Sequence, residues 1–247
     1  MKKDDGAKAK LTGTQLNKIL SNAGIASRRK CADLIKEGRV KVNGRVILEP
    51  GHRVKESDTV TFNGKKVESK KKYYVLLNKP KDYITTTSDD RGRKTVMELV
   101  ERASPERLYP VGRLDRNTTG VLLLTNDGEL AQKLSHPSGK VKKVYEVSLN
   151  KGLTPEDMEK VAKGVELDDG IAQVDAIAYA DAKDNRVVGI ELHSGKNRIV
   201  RRIFEHLGYD VVKLDRVLYA GLTKKNLQRG HWRHLSPREV NWLTRIR

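Results

Sequence analysis

Cysteine is nearly absent: Cys31 is the only one in 247 residues. No disulfide can form within the chain, and a reducing cytoplasm is the expected setting. Aromatic residues make up only 5%, so each conspicuous ring invites a reason. No apolar run approaches the ~18 residues that suggest a membrane-spanning helix, and no signal-peptide pattern is present. A membrane is therefore not an expected partner. The GxxxxGK(S/T) phosphate loop, GxGxxG, HExxH and GxSxG are all missing, which removes the nucleotide, zinc-protease and serine-hydrolase chemistries they signal. His231, His234 and the distant Cys31 make no zinc site. Downstream of Asp115 the next acid is Asp127, and an apolar run separates them, so a catalytic carboxylate pair is hard to build. Neither a metal nor a cofactor is expected.

What the chain has in excess is positive charge. Fifty Lys and Arg stand against 32 Asp and Glu, a formal +18. A protein this basic is suited to a polyanion. The charge is uneven: residues 1–72 hold 19 Lys and Arg against 8 Asp and Glu, a net of +11, and the remaining 175 residues carry +7. The first stretch, MKKDDGAKAKLT, is polar and unpatterned, and residues 1–13 read as a disordered basic tail. The basic run ESKKK reads as a linker at 69–72. A small unit at 14–68 and a larger one at 73–247 follow from these boundaries.

In the small unit, Leu16, Ile19 and Leu20 lie at helical spacing and Gly24 stops the helix. A second helix starts at the N-cap Ser27, puts Cys31, Leu34 and Ile35 on one face and ends at Gly38. Its first turn holds Arg28, Arg29 and Lys30. Cations there oppose the helix dipole by roughly 0.3–1 kcal/mol each, a cost that a phosphate ligand would reverse. A solvated charged face is the plainer reading. RVKVNGRVI and DTVTFNGKKV then alternate around Asn-Gly turns at 43–44 and 63–64, as hairpins do.

The larger unit mixes helices and strands. Tyr74–Leu77 reads as a buried strand that breaks at Lys79-Pro80. TVMELVERAS opens with a capping box of Thr95 and Glu98. VLLLT is a buried strand, NDGELAQKLSHP a helix ended by Pro137, and KVYEVSLN a strand. LTPEDMEKVAKG is a helix with Pro155 at its first position. QVDAIAYA, RVVGIEL and DVVKLDRVLYAG are strands, with a basic helix in GKNRIVRRIFEHLG. Strands often follow strands directly, so the fold class is α+β with a mostly antiparallel mixed sheet flanked by helices.

One stretch stands out: VGRLDRNTTGVLLLTNDG, Val111 to Gly128. Asp115 lies between Arg113 and Arg116, in a loop that runs into an apolar strand. Nearby cations favour an ionised carboxylate, and an ionised aspartate on a rigid strand end is a competent nucleophile or base. Asp is also common in turns, and spacing alone favours the turn-shaping role.

Two resemblances bear on that choice. LNKILSNAGIASRRKCADLIKEGRVKVNG resembles the S4-type RNA-binding domain. GRLDRNTTGVLLLTNDGELAQKLSHP resembles the signature of the pseudouridine synthases that modify ribosomal RNA, in the branch with an S4-type domain in front. That branch acts on both ribosomal subunits, with type A for the small one and types B, E and F for the large one. The chain is nearest to the large-subunit members. Val121 stands where Leu is more usual. KVKKVYEV and GKNRIVRRIFEHLGYDVVKLDRVLYAGL resemble two further motifs of the family, in the expected order. The resemblance implies isomerisation of a uridine in ribosomal RNA, 23S more than 16S, without cofactor or metal, by a monomer acting on the RNA or a pre-ribosomal particle. It implies that Asp115 is the catalytic aspartate, that Tyr145 stacks on the target base, and that Arg201 pairs with Asp115. Val200 then lines the pocket, and Arg113 contacts phosphate or fills the place of a flipped nucleotide. Arg28, Arg29, Lys30, Lys143, Lys196, Arg198 and Arg202 are the expected RNA-facing cations. The alternative is a non-catalytic RNA-binding assembly factor on the same scaffold. Retention of Asp115, Tyr145 and Arg201 together favours the enzyme.

Overall fold

The computed structural model describes residues 13–68, 70–136 and 139–246. Most of the expected tail, Ser69 of the expected linker and the helix-stopping Pro137 lie outside the described residues. The chain divides into two compact units, one ending at Lys71 and the other beginning at Lys72.

In the first unit, β1 (Thr14–Gln15) leads into helices α1 (Leu16–Asn22) and α2 (Arg28–Lys36). The strands β2 (Val40–Val42), β3 (Arg45–Val46), β4 (Arg53–Val54), β5 (Val60–Phe62) and β6 (Lys65–Lys66) follow. A four-stranded sheet has the order β3-β2-β5-β6, and β1 pairs with β4. The Ser27 hydroxyl caps α2 by accepting from the Lys30 amide at 3.3 Å. Both Asn-Gly turns have positive φ at both residues: 49° and 79° at Asn43 and Gly44, 48° and 78° at Asn63 and Gly64. That backbone matches strand twist and is cheap only for such residues. Leu16, Leu20, Cys31, Ile35, Val40 and Val60 form the core, joined by Val42 and Val54. The helix-period and strand-period apolar residues thus converge on one small core.

The second unit begins with β7 (Tyr74–Lys79), α3 (Val96–Leu99), a 3-10 turn at Glu101–Ala103 and β8 (Tyr109–Pro110). Next come β9 (Thr119–Thr125), α4 (Gly128–Ser135), β10 (Lys143–Leu149), α5 (Pro155–Lys163), β11 (Val165–Leu167) and β12 (Gly170–Ala172). β13 (Ala176–Tyr179), β14 (Val187–Leu192), α6 (Ile199–His206), β15 (Val211–Tyr219), β16 (Leu222–Thr223), β17 (Trp232–His234) and α7 (Pro237–Arg245) complete it. The main sheet has the order β13-β14-β10-β15-β9-β7-β17. Its pairs are antiparallel except β15 with β9. This is the α+β mixed sheet read from the sequence.

The position of β9 explains its apolar run. Val121 and Leu123 pack with Leu130 and Leu134 of α4. Leu122 and Leu124 pack on the other side with Val96, Val100 and Leu114. A strand covered on both faces needs apolar residues at every position. A third core joins Val147 and Ile190 to Ile203 and Phe204 of α6. The strand β7 runs two residues further than its apolar stretch. Asn78 and Lys79 are buried there, which is tolerable because the Asn78 amide and the Lys79 ammonium donate to backbone carbonyls.

β9 approaches β15 closely at Gly120. A Cβ on Gly120 would collide with the Arg216 carbonyl oxygen and lie 2.7 Å from the Arg216 amide nitrogen, and the glycine's φ is +105°. Gly120→Ala is expected to destabilise the second unit by about 2–6 kcal/mol through backbone strain and overpacking. The check is a urea unfolding curve, and a midpoint equal to wild type refutes the close approach.

Candidate active site

Asp115 sits in the turn that leads into β9, and its side chain is exposed. The turn beneath it is tied at successive carbonyls. Thr118 N–H donates to the Asp115 carbonyl at 3.0 Å, and Asp82 N–H donates to the Arg116 carbonyl at 2.9 Å. The Thr85 hydroxyl donates to the Leu114 carbonyl at 2.7 Å. Lys79 enters from below. Its ammonium lies within 3.2 Å of four carbonyl oxygens, those of Pro80, Asp115, Arg116 and Thr118. Burial pushes the Lys79 pKa down to about 8, while the charges of Asp115 and Asp82 pull it back up. A turn held this way can present one carboxylate in a fixed place, which is what a catalytic group on a loop needs.

Tyr145, on β10, is half-buried. It packs both on the core that contains Leu114 and on the core that contains Val200. The ring therefore lies between these two cores. Val200 is buried in that second core, against which Tyr145 also packs. Arg201 does not ion-pair with Asp115 as expected. Its guanidinium donates to the Val211 carbonyl at 2.7 Å. Burial and the charge of Arg198 lower its pKa, and Asp115 acts only through its field to raise it. Arg116, the other cation next to Asp115, pairs with Asp82 at 3.3 Å.

The expected RNA-facing cations divide into two groups. Arg113 is exposed with no partner among the described residues, and the side chains of Arg29 and Lys30 are likewise exposed. Arg28 instead binds the side chains of Gln15 and Asn17. Lys143 turns inward to the carbonyls of Val141 and His193, at 3.0 and 2.7 Å, and burial lowers its pKa to about 8. Arg202 and Lys196 engage Asp169, whose pKa falls to about 2 chiefly through Arg202. Arg198, in a left-handed conformation at φ 46°, pairs with Glu205. Lys143, Lys196, Arg198 and Arg202 thus each have a partner within the chain, and Arg198 is exposed while engaged. Asp127 is a structural group: it caps α4 and accepts from Tyr74 and Lys72. Burial opposes its charge, but these donors overcome that and lower its pKa.

Sequence reasoning missed Lys79, Thr85 and Asp82. The available signal was a polar Asn-Lys pair closing an apolar strand, which a buried strand end keeps only if the lysine has acceptors. No group of three or more His, Cys, Asp or Glu able to hold a metal occurs among the described residues, and no described helix is long and apolar enough to cross a membrane.

A clamped turn that presents an exposed carboxylate is a feature that can be compared with known proteins. A family model described as RNA pseudouridylate synthase matches residues 73–206, and an S4 domain model matches residues 15–60. The chain is 44% identical over 233 residues to the ribosomal large subunit pseudouridine synthase B of Bacillus subtilis, covering 93% of this chain and 95% of that protein. The chain belongs to the RNA pseudouridylate synthase family. The protein of the same name from Vibrio cholerae is 37% identical over 240 residues, covering 94% of this chain and 74% of that one. A crystal structure of a pseudouridylate synthase shares the fold, with a TM-score of 0.66, 24% identity, and coverage of 94% of this chain and all of that one.

Lys79 gives a signed pH dependence. Its folded pKa of about 8 lies below its ordinary 10.5. Between those values the unfolded chain binds a proton that the folded chain does not, so its contribution to stability rises with pH across that window. Wild type should therefore gain stability relative to Lys79→Met between pH 8 and 10. Urea unfolding at both pH values measures this, and a difference that stays flat removes the buried, charge-strained ammonium.

Proposed function

We propose that this chain isomerises a uridine of large-subunit ribosomal RNA to pseudouridine, with Asp115 as the catalytic carboxylate. The N1–C1′ bond breaks, the uracil turns within the site, and C5 bonds to C1′. C5 gives up its proton and N1 gains one, so the reaction consumes no co-substrate. Attack of Asp115 at C1′, attack at C6, and proton removal on an elimination route all place this carboxylate against the ribose–uracil linkage. The observation that carries the reading is the clamped turn: four carbonyls around one buried ammonium hold Asp115 still while its side chain faces solvent. The large-subunit substrate is supported by the names of the similar Bacillus subtilis and Vibrio cholerae proteins.

In this reading Tyr145 stacks on the base, because a π face holds a base while it turns without prescribing one hydrogen-bond pattern. Arg113, exposed and unpaired among the described residues, contacts phosphate or occupies the place of the flipped nucleotide. Residues 14–68 position the enzyme on RNA through Arg29 and Lys30, and residues 73–247 hold the site.

Asp115→Asn is nearly isosteric and should keep fold and RNA affinity while lowering isomerisation roughly 10³-fold or more. Mass mapping of pseudouridine in 23S RNA, with and without the protein, tests reaction and target together. Wild type that binds the RNA but converts no uridine would identify a binding factor on the same scaffold. Tyr145→Phe should keep most binding, whereas Tyr145→Leu should lose about 1–3 kcal/mol of stacking; equal affinity for both places Tyr145 in the core alone. A fragment starting at Lys72 should bind RNA with a shallower salt dependence, by about 0.7–0.9 in log–log slope for each phosphate that it no longer touches. Equal slopes would take the N-terminal unit off the RNA.

A further inference from the structure

A single transverse row of the main sheet connects the parts of the site. Lys79 of β7 is in register with Gly120 of β9. Gly120 is in register with Arg216 of β15, and Arg216 with Tyr145 of β10. The strand that leaves the Asp115 turn and the strand that carries Tyr145 are not hydrogen-bonded to each other; β15 lies between them. Arg216 is the β15 residue in register with both Gly120 and Tyr145.

Arg216 is only 2% exposed. Its Nε donates to the Val121 carbonyl at 2.8 Å, and its guanidinium carbon lies 4.5 Å from the centre of the Tyr219 ring. One terminal nitrogen, Nη2, is buried with no partner. No ion pair to Arg216 occurs among the described residues. For packing alone this is a poor choice, since an apolar side chain of similar volume fills such a place without the desolvation of a charge. The contact it does make is to the first residue after Gly120, where β9 and β15 come closest.

We propose that Arg216 is a positioning residue of the isomerisation: by holding the Val121 carbonyl it fixes the Asp115 strand at a set spacing from the Tyr145 strand, so that carboxylate and ring meet the same uridine. The inference rests on the proposed reaction. Misplacement of reacting groups by a fraction of an ångström lowers turnover without weakening contacts made elsewhere along the RNA.

The test uses the full chain with Arg216→Met, which keeps length and removes charge and donors, and Arg216→Gln, which keeps a donor for the Val121 carbonyl. Turnover is measured per folded molecule on a ribosomal RNA fragment bearing the mapped uridine, alongside RNA affinity and the urea midpoint. Met is expected to lower kcat by roughly 10–100-fold with RNA affinity unchanged, and Gln to recover several-fold. A Met variant with kcat near wild type, whatever its urea midpoint, overturns the proposal and leaves Arg216 a scaffold residue. Failure of both variants to fold does the same. Absence of turnover by wild type itself overturns the proposed reaction first, and the inference with it.

Discussion

Lys79 puts a positive charge that water cannot reach against four backbone carbonyls, and the candidate site is arranged around that contact. Burying an ammonium is costly unless hydrogen bonds replace its hydration. Here the acceptors are main-chain atoms of the turn itself. The lysine is solvated by the loop that it holds, and neither is comfortable without the other. Gly120 then lets β9 pass close to β15, so the turn is attached to the middle of the sheet and not to its rim.

Elsewhere in the second unit several charges are paired locally. Asp169 engages Arg202 and Lys196, Glu239 engages Arg233, and Asp215 engages Lys224 and Arg229. Such pairs leave the net excess of +18 unchanged but fix which individual cations already have a partner. The cations that stay exposed and unengaged among the described residues, such as Arg113, carry more meaning than their neighbours in the same motif.

Much of the fold was legible because its signals are local. Asn-Gly turns, the Ser27 cap, the Thr95–Glu98 capping box and Pro155 act within a few residues of themselves, and each has the conformation or contact expected. The α+β class was readable from strands following strands. Contacts between distant segments were not. Lys143 looked like a surface cation because one of its acceptors, the His193 carbonyl, becomes a neighbour only when β10 pairs with β14. The end of β7 was misjudged because Asn78 and Lys79 are polar, and nothing local reveals the carbonyls that receive them. The helix α7, with its own capping box at Ser236 and Glu239, went unread although its signal was local.

The single parallel pair of the main sheet, β9 with β15, has a consequence for how the molecule assembles. Thr119 and Asp215, bonded through their side chains, are 96 residues apart in sequence. Antiparallel neighbours such as β13 and β14 can zip from a nearby loop, but this contact waits for a much longer chain closure, and such closures are slow. During synthesis the Asp115 turn emerges early and stays without its β15 support until most of the domain has followed. An enzyme built this way gains its alignment only as it nears completion, so a truncated or stalled chain can hold the motif residues and still lack the spacing between them.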